Sequence, residues 1–284
     1  MTGIRPYHVD LGQKDVRTGM YDGFVFDAEG IPAYRYGNTQ HYNPTFVGHY
    51  GLYQVGLYLR TRDEERLSSF LRVADWFLRT GRRSPAGLTF EYTMDVPGLP
   101  TPWISALGQG RALSVLTRAY GATADERYRE AALDAFGAFR RTVSEGGVVT
   151  AFPDGGVAFE EYPRSRPDVV LNGLITALFG LYDLAAIVTP AGPGGPKELF
   201  DEAVASLERN LYRYDLSYWS AYDLSGRVCS NEYHAYHVIL LWALHELTGV
   251  DAFAKRAARW DGFGRGIRLF MGRNLSRIRS RLPG

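Results

Sequence analysis

The sequence predicts a mainly α protein, an α/α barrel (toroid) of about four helix hairpins with β-hairpin-like loops on one rim. Three observations carry this. Stretches with helical periodicity come in pairs that recur at intervals of about 60 residues, a period typical of solenoids and closed toroids. Within each pair the first stretch is the more apolar, while the second is mostly acid-led with a single apolar stripe. Links within pairs are mostly short and links between pairs are long.

The elements follow in order. Residues 1–40 are rich in Gly, Asp and Tyr without a sustained period, and read as an arm with short extended pieces. The first helix starts at Asn43-Pro44 and runs through TFVGHYGLYQVGLYLR, with proline in the first turn. Its amphipathic partner is DEERLSSFLRVADWFLRT. The second pair is 103–120 followed by ERYREAALDAFGAFRRTV. The third is 169–188 followed, after a Pro/Gly loop, by ELFDEAVASLERNLYRY. The fourth is 233–247 followed by DAFAKRAARWDGF.

If the first helices form an inner ring, the long loops 81–102, 144–167 and 215–232 all end at inner-helix N-termini and lie on one rim. Loops of that length are usually functional, so the site is expected there. Asp154-Gly155 and Ser225-Gly226 mark hairpin turns within them. The domains read as an arm over 1–40, a barrel over 41–263 and a basic tail over 264–284. The tail carries six arginines and an apolar stripe, as a surface helix, a frayed end or a docking strip for an acidic polymer or membrane surface.

Composition narrows the function classes. At 284 residues and 45% hydrophobic content the chain can bury a sizeable core. A formal charge of +1 argues against a general nucleic-acid binder. The single cysteine, Cys229, excludes an intramolecular disulfide framework, and no zinc-type Cys/His spacing occurs. The N-terminus lacks an apolar signal-peptide core and no apolar run reaches the roughly 18 residues of a spanning helix, so a soluble, cytoplasmic protein is expected. P-loop, dinucleotide and serine-elbow motifs are absent from the sequence, and neither a cofactor nor a metal is expected.

Chemistry-bearing residues cluster in FEEYPRSRPDVVLNGLITALFGLYD, a polar entrance to a long apolar run. Glu160 and Glu161 are adjacent, so on an extended segment one of them can face a cleft, and a hydrolytic pair facing one bond is not supplied. A pair of solvated loop acids is the competing reading. Tyr162, Tyr222 and Tyr233 stand at the ends of converging loops, with Arg164, Arg166, Arg227, His234 and His237 nearby in sequence. A tyrosine there can pack, donate a proton or, beside a cation, accept one. His234 and His237 share a helix face but lack the acid of a metal motif, and read as hydrogen-bonding groups. Trp103 and Gln109 open the second inner helix; Trp103 also reads as core, and Gln109 is expected to face the lumen. Tyr42, just before the first helix, is a further candidate for substrate contact.

The blocks PTPWISALGQGRALSVLTRAY, EEYPRSRPDVVLNGLITALFGLYD, AYDLSGR and NEYHAYH, with GIPAYRYGNTQHYNPTFVGHYGL before them, resemble the C-terminal catalytic domain of D-glucuronyl C5-epimerases over roughly residues 30–260. The resemblance implies an α/α-barrel enzyme that converts D-glucuronate to L-iduronate within an acidic, heparosan-like polysaccharide. It places the family's catalytic glutamate and tyrosine at Glu161 and Tyr233, its further active-site tyrosines at Tyr162 and Tyr222, and its LNG asparagine at Asn172. The β-rich N-terminal domains of the animal enzymes, with their substrate contacts, calcium site and much of the dimer contact, have at most the first 40 residues as counterpart, so a homodimer is left open. The family's arginine three residues after the YDL tyrosine is Ser225 here, with Arg227 the nearest substitute, and the segment from YDL to the last tyrosine is shorter. On this reading Glu161 and Tyr233 serve opposite faces of the sugar, and Arg227, His234 or Arg166 stabilises its carboxylate. A polysaccharide lyase of the same fold and a non-catalytic acidic-glycan binding module are the alternatives.

Overall fold

A computed structural model describes residues 3–12, 24–36, 39–188 and 194–263. The basic tail expected over 264–284 lies outside the described residues.

Eight α-helices form four hairpins among the described residues. The inner members are α1 (Pro44–Thr61), α3 (Ala106–Thr123), α5 (Leu171–Ala185) and α7 (Asn231–Thr248). The outer members are α2 (Glu64–Thr80), α4 (Glu126–Ala135), α6 (Pro196–Asn210) and α8 (Asp251–Phe263). Their starts follow from short-range chemistry. Asn43 Oδ1 accepts the Thr45 N–H at 2.9 Å with Pro44 in the first turn, and Asp63 and Asp125 cap α2 and α4. Each outer helix packs on its own inner helix, and α1 packs on α3, α3 on α5 and α5 on α7. The small-residue runs set the closest approach. A Cβ at Gly180 of α5 would lie 2.4 Å from the Gly110 carbonyl oxygen of α3. Gly180→Ala must therefore spread these two helices and is expected to cost about 1–3 kcal/mol, read as a lowered urea midpoint.

Several boundaries differ from the sequence reading. ELFDEAVASLERNLYRY is α-helical only to Asn210, with a 3-10 turn over Leu211–Tyr214. ERYREAALDAFGAFRRTV is not one α-helix, because α4 stops at Ala135 and a 3-10 turn covers Phe136–Arg140. Gly137 there lies so near the Ala86 carbonyl that a Cβ would approach to 2.5 Å, and the tightened turn accommodates that contact. Trp103 precedes its helix on a short strand, and Ser105 Oγ caps α3 by accepting the Leu107 N–H at 3.2 Å.

The loops form antiparallel pairs. β4 (Arg82–Ser84) pairs with β5 (Gly87–Thr89), β6 (Glu91–Tyr92) with β7 (Trp103–Ile104), and β8 (Val149–Ala151) with β9 (Val157–Phe159). Gly155, at φ 85°, turns the β8–β9 hairpin, and Gly226, at φ 80°, turns the loop before α7. In the arm, β1 (Phe24–Phe26), β2 (Pro32–Tyr36) and β3 (Thr39–His41) make an antiparallel sheet whose central strand packs on α1.

Residues 3–12 run across the inner helices. Arg118 of α3, 3% exposed, reaches Asp183 of α5 with Nη1 at 2.5 Å and Nη2 at 3.1 Å, and donates to the Arg5 and Pro6 carbonyls at 3.0 and 2.9 Å. His8 meets the same carboxylate at 2.9 Å. Burial pushes the Asp183 carboxyl up, but Arg118 and His8 outweigh it and hold the group below the usual carboxylate range.

Candidate active site

A cavity of about 490 Å³ opens where all four inner helices begin. Asn43, Thr45 and Phe46 border it from the start of α1; Ser105, Leu107 and Arg111 from α3; Asn172 from α5; and Ser230, Glu232, Tyr233 and Tyr236 from α7. Tyr92, Met94, Val96, Trp103, Glu161 and Tyr162 come from the connecting loops. Converging helix N-termini make such a mouth favourable to negative charge. A second cleft adjoins it, sharing Val96, Tyr162, Ser230 and Tyr233 and adding Arg164, Tyr222 and Arg227.

The two adjacent glutamates divide sharply, and both are buried rather than solvated. Glu160 turns away from the cavity: its carboxylate accepts the Asp168 N–H at 3.1 Å and the Val169 N–H at 3.3 Å. Val169 sits at φ 39°, a left-handed conformation that costs a β-branched residue about 1–3 kcal/mol. The Glu160 carboxylate and the Tyr214 hydroxyl, which donates to the Val169 carbonyl at 2.8 Å, pin it there. This bend delivers the chain into α5 with Asn172 facing Glu161.

Glu161 faces the cavity. Asn172 Nδ2 donates to Glu161 Oε2 at 3.3 Å and the Tyr222 hydroxyl donates to Oε1 at 3.4 Å. Gly173 passes so close that a Cβ there would lie 2.4 Å from Oε2. Asn172 Oδ1 is buried without a hydrogen bond, leaving an acceptor beside the carboxylate for a ligand hydroxyl. Burial pushes the Glu161 carboxyl up to about 7, against the opposing pull of Tyr162, Tyr222, Arg227 and Asn172. Such a group is half ionised near neutral pH and suits a general base.

Three tyrosines surround it. The Tyr222 and Tyr233 rings meet edge to face at 5.0 Å. Tyr162 packs against Trp103 at 5.8 Å, and Trp103 stacks on Tyr92 at 4.2 Å. Tyr233 is 42% exposed as a residue, but loss of solvent around its hydroxyl, and next the Glu161 charge, push that hydroxyl up to about 12. The same two causes push the Tyr222 hydroxyl higher still, and for Tyr162 the Glu161 charge leads. These phenols are proton donors at neutral pH.

The structure therefore gathers Glu161, Tyr162, Tyr222, Tyr233, Asn172 and Trp103 around connected cavities, with Arg227 at the second cleft. Arg227 sits 4.4 Å above the Tyr222 ring and pairs with Asp223 at 2.7 Å. Five candidates lie elsewhere. Gln109 is fully buried and ties loops together, accepting the Phe90 N–H at 2.8 Å and donating to the Leu88 carbonyl at 3.2 Å. His234 stacks on Trp219 at 3.7 Å, accepts the Ser220 N–H at 3.2 Å and meets the Trp260 carbonyl at 3.1 Å. His237 is buried beside Cys229 and Trp260. Burial pushes the two imidazoles down to about 4 and about 3, so they are neutral packing groups on the face of α7 turned toward α8. Tyr42 donates to Asp27 at 2.7 Å beside Trp76, and Arg166 is exposed; neither borders either cleft.

Sequence reasoning missed Arg111, Tyr92 and Tyr236. Arg111 left a signal, because it is a cation inside the small and apolar run of a helix read as buried. Tyr236 stands three residues after Tyr233, which places both on one helix face. Among the described residues no group of three or more His, Cys, Asp and Glu could hold a metal ion, and no helix is long and apolar enough to cross a membrane.

Fold and site together define an α/α toroid that holds one raised-pKa carboxylate among phenols at the mouth of its inner ring. Residues 84–262 match the family described as D-glucuronyl C5-epimerase C-terminus, and the chain belongs to that family. It is 31% identical over 242 residues to the D-glucuronyl C5-epimerase of Caenorhabditis elegans, covering 78% of this chain and 39% of that protein. It is 32% identical over 179 residues to an uncharacterized protein of Methanocaldococcus jannaschii, covering 61% of this chain and 57% of the relative. The chain thus spans about two fifths to three fifths of the length of these relatives. Among solved structures it resembles a GH76 α-mannanase of Bacteroides thetaiotaomicron, at TM-score 0.54 and 10% identity over 84% of this chain and 63% of that one. It also resembles the cellobiose 2-epimerase of Spirochaeta thermophila, at TM-score 0.52 and 12% identity over 79% and 58%. These two likenesses are of fold.

Proposed function

We propose that this protein is a C5-epimerase acting on D-glucuronate residues of a heparosan-like polysaccharide and converting them to L-iduronate. The observation that carries the reading is Glu161, a buried carboxylate set among three phenols in a cavity of about 490 Å³. Glu161 takes the C5 hydrogen as a proton, and the electron pair left on C5 delocalises into the adjoining carboxylate. Tyr233 then returns a proton to C5 from the other face, which inverts the centre.

After one turnover Glu161 is protonated and Tyr233 is a phenoxide. Tyr222 interacts with both of them and is placed to pass the proton back, which resets the site without a cofactor. Because the base must be ionised, exchange of the C5 hydrogen is expected to rise with pH through about 7, following Glu161. A rate independent of pH between 5 and 8 contradicts Glu161 as the base.

Product analysis tests the function. Incubation with an unsulfated alternating glucuronate and N-acetylglucosamine polymer is expected to produce L-iduronate signals in proton NMR at unchanged chain length. Absence of L-iduronate from this polymer and from its N-sulfated form overturns the reading.

A further inference from the structure

Removing the proton next to a carboxylate builds negative charge on that carboxylate, so the site needs donors aimed at it. Glu161 and the phenols around it carry no positive charge. Arg164 pairs with Asp168 at 2.8 Å and Arg227 with Asp223 at 2.7 Å, and both border the second cleft. Arg111 borders the main cavity and is 1% exposed.

Arg111 reaches the cavity through a neighbour. Its Nη2 donates to the Tyr236 hydroxyl at 2.9 Å, and Tyr236 borders the same cavity on the face of α7 that carries Tyr233. Behind the guanidinium, the Tyr7 ring from residues 3–12 packs with its centroid 5.0 Å from Cζ. A phenol oxygen that accepts from a guanidinium keeps its own O–H hydrogen for another acceptor, and the cation behind it strengthens that donor.

We propose that Tyr236 donates its hydroxyl hydrogen to the substrate carboxylate, with Arg111 as the positioning residue behind it, and that this pair selects a uronate over the neutral sugar. The assignment rests on the epimerase reading and adds the group that recognises the acid. It also gives residues 3–12 a share in the site, since Tyr7 backs the arginine.

The test is binding rather than turnover. Calorimetric titration compares a hexasaccharide of alternating glucuronate and N-acetylglucosamine with its carboxyl-reduced counterpart, in which glucose replaces each glucuronate. The unsubstituted protein is expected to prefer the acid form by about tenfold or more, the size of one charge-assisted hydrogen bond. Tyr236→Phe and Arg111→Met are expected to lose most of that preference, and Arg111→Lys to keep part of it. Tyr236→Phe retains the ring, so it reports even where Arg111→Met does not fold. A preference that persists within about twofold in Tyr236→Phe, or no preference in the unsubstituted protein, overturns the assignment. A preference present in the unsubstituted protein and lost in Tyr236→Phe, with no C5 exchange on any uronan, supports it while overturning the epimerase reading.

Discussion

Glu161→Gln is expected to slow C5 exchange by about 10³-fold while leaving the fold intact, because the amide keeps the shape and cannot take the proton. Stability should move the other way. The Glu161 carboxyl is raised in the folded protein, so folding binds a proton more tightly there, and stability falls as pH rises from the ordinary carboxylate range through about 7. A neutral glutamine escapes that penalty. At pH 8 the variant is therefore expected to melt no lower than the parent despite losing activity. Exchange within about tenfold of the parent rate removes Glu161 from the base role.

Arg118→Met carries the largest expected loss of stability. It leaves the Asp183 carboxylate, 6% exposed, with only His8 beside it, and frees the Arg5 and Pro6 carbonyls from their donor. Breaking one side of a buried ion pair costs about 3–5 kcal/mol, whereas replacing both sides by apolar groups is often near neutral. The urea midpoint of Arg118→Met is expected to drop accordingly, and the double variant Arg118→Met/Asp183→Leu to recover much of it. A single-variant loss below about 1 kcal/mol shows that the arm is not clamped through this pair.

The hairpin order and the placing of the rim were legible in the sequence because each rests on local signals. Apolar period, acid-led second helices and Pro or Asx starts all act within a turn or two. Asp154-Gly155 and Ser225-Gly226 were legible as turns because glycine takes positive φ cheaply. Alternation alone divided Glu160 from Glu161, and the family resemblance chose Glu161 as the site acid; what a single sequence did not show is that Glu160 is spent on the Val169 backbone.

What failed depended on the far side of a helix. His234 and His237 share a face, as the spacing requires, but that face meets Trp260 of α8 rather than the cavity. Gln109 looked like a lumen residue in a small-residue run, yet the loop carrying Leu88 and Phe90 arrives to use its amide. Arg111 and Tyr236 belong to different hairpins 125 positions apart, and a single sequence carries no sign of their pairing.

The proposed removal of the C5 hydrogen by Glu161 takes place on a uronate inside an intact chain. Incubation of the alternating glucuronate and N-acetylglucosamine polymer in D2O, followed by NMR and chain-length analysis, tests it most directly. The expected result is deuterium at C5 in residues of both configurations, at unchanged chain length, lost in Glu161→Gln. Shortened chains with unsaturated ends and no C5 deuterium in the remaining residues would contradict it.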